Sequence, residues 1–322
     1  MSFRDARARR PEQARERRAR VRRERFAALG SLIVVIGVVA TVVLTSVGGS
    51  GSHASKRGSG ASARSSTGSA SGASGAGAGG TTTVPILAYH VINVAPAGSS
   101  ASPAVYVPAD EFSSQMAALK TAGWHAVTLD QLEAYWTRGA SLGSGKPIVI
   151  SFDDGYASQY TNAAPVLKGL GWVGVENLQV SGLPPSEGGL TDSQIRGLIA
   201  AGWELDTEGM TGTDLTTVDS GQLTQEVTNA RQVLRSRYGV PANWFSYPLG
   251  HYDATVINAV RAAGFVGATT SVSGWASPQQ DRFRLPRLEV VGGTSPSQLL
   301  SQIASAQATT SAPPSYSGPG TA

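Results

Sequence analysis

The chain has 322 residues, of which 41% are hydrophobic, 15% charged and 7% aromatic, with no cysteine, four histidines and a formal net charge of +4. Without cysteine there is no disulfide framework, thiolate zinc site or cysteine nucleophile, so a metal could be held only by His, Asp, Glu and water. The charge is unevenly placed: residues 1–26 carry +7 from eleven Arg and four acids, residues 48–83 carry +3 and residues 84–322 carry −6. The globular part is therefore acidic, which excludes the basic surface that a nucleic-acid binder needs.

Residues 1–25 form a basic segment, and residues 26–47 (FAALGSLIVVIGVVATVVLTSV) are free of charge. As a helix these 22 residues would span about 33 Å, enough for one bilayer crossing. Eleven Arg before it against three basic residues soon after it place the N-terminus in the cytoplasm and the rest outside. The expectation is a single-pass signal anchor in the plasma membrane, with a cleaved signal peptide as the competing reading. Residues 48–83 hold 28 Gly, Ser or Ala in 36 positions, the composition of a disordered tether with a reach of roughly 33 Å. Residues 304–322 are rich in Ser, Thr, Ala and Pro and are also expected to be disordered.

Between them, residues 84–303 read as one domain. An apolar residue, three residues, Gly and an aromatic recur at Leu119–Gly123–Trp124, Leu167–Gly171–Trp172, Leu198–Gly202–Trp203 and Val260–Gly264–Phe265. Each copy follows helical spacing and precedes a β-like run (HAVTL, VGVENLQV, ELD, VGATT), so the Gly is expected just past a helix end. Pro108, Asp130 and Asp219 mark helix starts. PILAY, PIVISF, NWFSY and LPRLEV add further strands. Seven or eight alternating units suit an α/β fold, a single (β/α) barrel, with an open doubly wound sheet as the other arrangement. There is no Gly-x-Gly-x-x-Gly after a strand and no P-loop, so nothing points to a nucleotide.

Functional groups of such barrels sit at the C-terminal strand ends. In order these are His90, Asp153-Asp154-Gly155-Tyr156, Asp206-Thr207-Glu208, Tyr247-Pro248-Leu249-Gly250-His251 and Arg287. Adjacent carboxylates straight after IVISF raise each other's pKa unless a cation or hydrogen bonds absorb them. A metal ligand beside a general base is one division of labour that would do so.

The stretches PILAYHVI, SFDDGY, GWELDTEGMTGTDL, FSYPLGHYD and LPRLEV resemble, in order and spacing, the successive motifs of the NodB-homology polysaccharide deacetylases. The resemblance covers most of residues 84–292. It implies a distorted (β/α) barrel that removes acetyl groups from glycans, hydrolysing non-peptide C–N bonds with a divalent metal, usually zinc. It further implies Asp153 as general base, Asp154 as metal ligand, Arg287 as the residue orienting the base, and Tyr247, Pro248 and Gly250 around the oxyanion, with Tyr247 lending its N–H. Where the family has Ser-His-x-x-x-His, this chain has Glu208 at the first His position and Gly212 at the second. No His follows His251, so the late general acid is missing as well.

Two readings follow. In one, a membrane-anchored extracytoplasmic deacetylase has a rebuilt site, with Asp154, Glu208 and His90 as ligands of zinc or a harder ion and His251 as acid. In the other, an inactive barrel without metal binds acetylated glycan or serves as a cell-envelope scaffold, with Trp203, Trp244, Trp275 and Tyr247 offering sugar-facing rings. Trp124, Trp172 and Trp203 are expected to pack helix against barrel. Neither reading involves nucleic acid or nucleotide.

Overall fold

The computed structural model describes residues 79–96, 103–183, 188–307 and 312–318. The basic segment 1–25, the expected transmembrane segment 26–47 and all of the tether except its last residues lie outside the described residues. Among the described residues, no helix is long and apolar enough to cross a membrane.

The run KPIVISFDD forms the central strand because its β-branched and aromatic residues can be buried on both faces of a parallel sheet. In chain order the strands are β1 Val84–Tyr89, β2 Trp124–Ala126, β3 Lys146–Asp154, β4 Val175–Leu178, β5 Glu204–Thr207, β6 Trp244–Ser246, β7 Gly267–Thr269, β8 Trp275–Ala276 and β9 Leu288–Glu289. The sheet order is β7-β6-β5-β4-β3-β1-β8, with β2 on β3 and β9 on β1. Only β8 runs antiparallel to its neighbour. Leu285 bridges to Thr269 while Leu288 pairs with Leu87, so this segment links β7 to β1 and the mixed sheet curls towards a barrel.

Alternation along β3 divides its residues between two cores. Val149 points inward with Ile86, Val175, Trp244 and Leu285. Ile150 and Phe152 point outward against Met116, Leu119, Leu167 and Trp203, where Phe152 stacks on Trp203 at 5.1 Å between ring centroids. Burying each such side chain stabilises the fold by about 1.5–3 kcal/mol. By the same alternation Ser151 and Asp153 face inward, and Asp153 lies at the C-terminal end, where the barrel opens.

The four repeated glycines do end helices. Helices α1 Ala109–Thr121, α3 Ala164–Gly169, α4 Asp192–Ala200 and α7 Ala254–Ala262 precede Gly123, Gly171, Gly202 and Gly264, which have φ of 83°, 71°, 88° and 85°. The aromatic that follows each glycine is buried in packing, as expected for Trp124, Trp172 and Trp203.

Other boundaries differ from expectation. Helix α2 Leu129–Arg138 starts ahead of Asp130, because Thr128 and Gln131 form a reciprocal capping box. HAVTL therefore keeps its strand only to Ala126, and Thr128 caps the helix instead. Asp219 does cap α5 Ser220–Thr224, accepting from the Gln222 N–H at 2.9 Å. The expected tail also differs: helix α8 Pro296–Ala306 runs past residue 304, and residues 312–318 pack on the domain. Tyr252 and Tyr316 exchange backbone hydrogen bonds of 2.9 Å, and Arg284 donates to the Ala312 carbonyl at 3.1 Å. A segment poor in large apolar residues is ordered here by backbone pairing and one tyrosine stack.

Candidate functional site

The C-terminal strand ends surround a cavity of about 170 Å³ lined by His90, Asp153, Asp154, Tyr156, Gln179, Glu208, Gly212, Tyr247, Pro248, Leu249, Gly250 and Arg287, among others. At its base Arg287 grips Asp153 through two bonds of 2.8 Å, Nη1 to Oδ1 and Nη2 to Oδ2. Asn177 adds a third bond to Oδ1, also at 2.8 Å. Burial alone would raise the Asp153 pKa, but the charge and hydrogen bonds of Arg287, the charge of His90 and the Asn177 bond together hold it below its ordinary value. Asp153 is thus a firmly ionised carboxylate with both oxygens engaged, which makes it a weak base. The resemblance led to Arg287 beside Asp153, and the structure brings them together. Asn177 was not foreseen, although its place opposite Asp153 in the β3–β4 register marks it.

Asp154 ends the strand with φ of 74°, a left-handed conformation that Asp tolerates better than most residues. Gln179 clasps it twice, with its backbone N–H to the Asp154 carbonyl at 3.3 Å and its side-chain Nε2 to Oδ1 at 2.6 Å. Glu208, 4% exposed, lies beside Asp154 and Gln179 on the cavity wall. Burial first, then the charges of Asp154 and Asp153, push its carboxyl well above the ordinary range. Its Oε1 finds no donor among the described residues. Among the described residues no Arg forms a salt bridge with it.

These residues do not fit a divalent metal. Among the described residues no group of three or more His, Asp or Glu is placed to hold one. Asp154, Glu208 and His90 all line the cavity, but they do not form a ligand set. The reason is chemical: Asp154 Oδ1 already accepts an N–H, and burial beside Asp154 disfavours the charged Glu208 carboxylate that a metal would need.

His251 is not placed as the acid. Its Nδ1 bonds Asp214 Oδ2 and its Nε2 bonds the Gly318 carbonyl, both at 2.8 Å, and it is absent from the cavity lining. Tyr247, Pro248 and Gly250 do line it, but the Tyr247 N–H already reaches the Thr269 carbonyl at 3.3 Å and its hydroxyl donates to the Phe283 carbonyl at 2.9 Å. The expected row of sugar-facing tryptophans is not there. Trp203 and Trp244 are buried, and Trp275 packs edge-on against Trp124 beside the N-terminal end of β3. His125 lies at that end too, bonded to the Leu142 carbonyl.

Behind the cavity are further acids that sequence reasoning left unassigned. Glu176, between Phe152 and Leu205 in register, is fully buried with neither carboxyl oxygen bonded among the described residues. Burial and the charges of Asp153 and Asp154 raise its pKa well above the usual range. Deeper in the barrel the buried carboxyls of Glu204 and Asp206 lie close together, Glu204 Oε2 accepting from the Asp130 N–H at 2.8 Å and Asp206 Oδ1 from the Trp244 N–H at 2.9 Å.

Residues 142–268 match the polysaccharide deacetylase family model, so this part of the chain is similar to that family. YxkH of Bacillus subtilis (strain 168), which bears the family's name, is 26% identical over 212 residues, covering 66% of this chain and 73% of that protein. The Streptococcus pyogenes deacetylase PplD, solved with acetate, superposes with a TM-score of 0.63 at 23% identity, covering 70% of this chain and 99% of PplD. A de-N-acetylase from Aggregatibacter actinomycetemcomitans gives 0.60 at 19% identity, covering 69% of this chain and all of that one. At these identities the two structures establish a shared fold.

Proposed function

We propose that this chain is a membrane-tethered, extracytoplasmic member of the polysaccharide deacetylase family that recognises acetylated glycan in the cavity at the strand ends without a catalytic metal. The observation that carries the reading is the Gln179 side-chain amide, which donates to Asp154 at 2.6 Å where the family resemblance calls for a metal. Asp153, locked by Arg287 and Asn177, is a fixed negative charge rather than a free base. The uncharged run 26–47 behind its arginines supports the anchor, and the Gly/Ser/Ala tether supports a domain that searches the layer outside the membrane.

A second reading, hydrolysis of acetamide bonds, is favoured by one observation: Asp153 keeps its place on the cavity and its Arg287 partner. Binding and acetate release on the full-length chain, with N-acetylglucosamine oligomers and their deacetylated counterparts, separate the two. Preferential binding of the acetylated oligomers without acetate release supports recognition. Acetate release abolished by Asp153→Asn overturns it in favour of hydrolysis.

A further inference from the structure

We propose that Gln179 takes the place of a metal ion in this cavity, so that a side-chain amide rather than a cation stands beside Asp154 and Glu208 and the locus is closed to divalent ions as long as Gln179 is present. This deepens the recognition reading and rests on it for the role of the cavity, although the cation test below does not depend on glycan binding.

Three observations carry it. The first is donor geometry. Gln179 Nε2 lies 2.6 Å from Asp154 Oδ1, and Glu208 lines the same cavity wall. An amide nitrogen with two N–H groups can serve both carboxyl groups at once, but it has no lone pair to offer a metal. The second is space. A Cβ added at Gly212 would lie 2.6 Å from Gln179 Cδ, 2.6 Å from Nε2 and 2.9 Å from Oε1. The volume a side chain at position 212 would fill is therefore the volume that the Gln179 side chain fills. The third is the backbone. Gly212 has φ of 64°, which disfavours larger residues. The Gln179 N–H to Asp154 carbonyl bond also anchors the backbone of the glutamine beside Asp154, within reach of its carboxylate.

Gln179 and the absence of a side chain at position 212 thus go together in the site. A rebuilt pair at 208 and 212 would meet the glutamine before it met a metal. Gln179 Oε1, which makes no bond with another group among the described residues, is left as an acceptor on the cavity wall.

The test is stoichiometric binding of Zn²⁺ by equilibrium dialysis and of Co²⁺ by its visible absorption, on the full-length chain. The wild type and Gln179→Leu are expected to hold neither ion. Gln179→His sets an imidazole beside two carboxyl groups and is expected to bind one ion at least about tenfold more tightly than the wild type, since four-coordinate sites accept His with carboxylates. Glu208→His with Gly212→His is expected to gain little, and the addition of Gln179→Ser to gain about 10–100-fold over that pair. One equivalent bound by the wild type and lost in Asp154→Asn would overturn the proposal. Equal affinities with and without Gln179→Ser would overturn it too, as would a folded Gln179→His that binds no better than the wild type. A wild type that excludes both ions yet binds no acetylated oligomer sinks the glycan reading alone.

Discussion

Arg287 and Asp153 face each other across the base of the cavity with two parallel hydrogen bonds of 2.8 Å, and each side chain is at most 6% exposed. A buried pair of this kind is strongly destabilising to break, because it strands a charge without water. Arg287→Met is expected to cost about 3–5 kcal/mol in urea denaturation at pH 7. Arg287→Lys should recover only part of that, since an ammonium cannot match the planar fork. The Asp153 carboxyl is held below its ordinary value, so its contribution is present above the unfolded pKa and is lost as pH falls through the lower folded one. The difference between wild type and Arg287→Met should shrink below about pH 4.

Glu204 and Asp206 work in the opposite direction. Burial, together with Asp130, raises the Glu204 carboxyl to about 7, and burial and Glu204 raise Asp206. A folded state that binds more protons than the unfolded one loses stability as pH rises. Wild-type stability should therefore decline between about pH 4.5 and 7. Glu204→Gln, which stays neutral, is expected to flatten this decline and to gain about 1–3 kcal/mol at pH 8 relative to pH 5, as measured by thermal and urea denaturation at both values. An unchanged slope would mean that no proton is held at this pair.

His251 has a structural task. Its hydrogen bond to Asp214, with the Gly318 carbonyl, outweighs partial burial and raises its pKa. Such a group contributes stability fully below the unfolded value near 6.5 and loses it as pH rises through the folded one. His251→Ala should cost about 1 kcal/mol at pH 6 and less at pH 9, while affinity for acetylated oligomers stays unchanged. A lost affinity would return His251 to the site.

The C-terminal segment is held largely by Tyr316, stacked 6.3 Å from Tyr252 and paired with it by backbone bonds. Tyr316→Ala is expected to cost about 1–2 kcal/mol, somewhat more than an aromatic pair contributes by itself. Limited proteolysis should then release the residues beyond 307 without cutting the barrel.

Leu249 is 39% exposed on the cavity rim with φ of 57°, a conformation that costs a non-glycine residue on the order of 1 kcal/mol. Leu249→Asn, which accepts that conformation more easily, should raise stability by about 0.5–1 kcal/mol. It should lower affinity for the glycan by removing an apolar contact. Calorimetric melting and oligomer binding measured on the same variant check both directions.

The helix-Gly-aromatic repeat was legible because it is local: a glycine that must take positive φ just past a helix leaves the same mark at Gly123, Gly171, Gly202 and Gly264. The order of the motifs around Asp153, Asp154, Glu208 and Arg287 was legible too, since strand ends follow from hydrophobic runs. Asp130 misled because Asp and Thr are both good caps, and the choice of Thr128 depends on Gln131 reaching back. The C-terminal segment misled because its composition carries no core signal, whereas its order comes from pairing with Tyr252, more than sixty residues away.

By itself, then, the sequence determined the alternation of strand and helix, the acids at the strand ends and the absence of a two-histidine site, all of which depend on residue type and spacing along the chain. Only the tertiary structure decided what stands beside Asp154. Gln179 is an ordinary residue at the end of β4 until strand register sets it beside Asp154 and its side chain takes the space above Gly212. That juxtaposition depends on three segments meeting in space, and no local pattern encodes it.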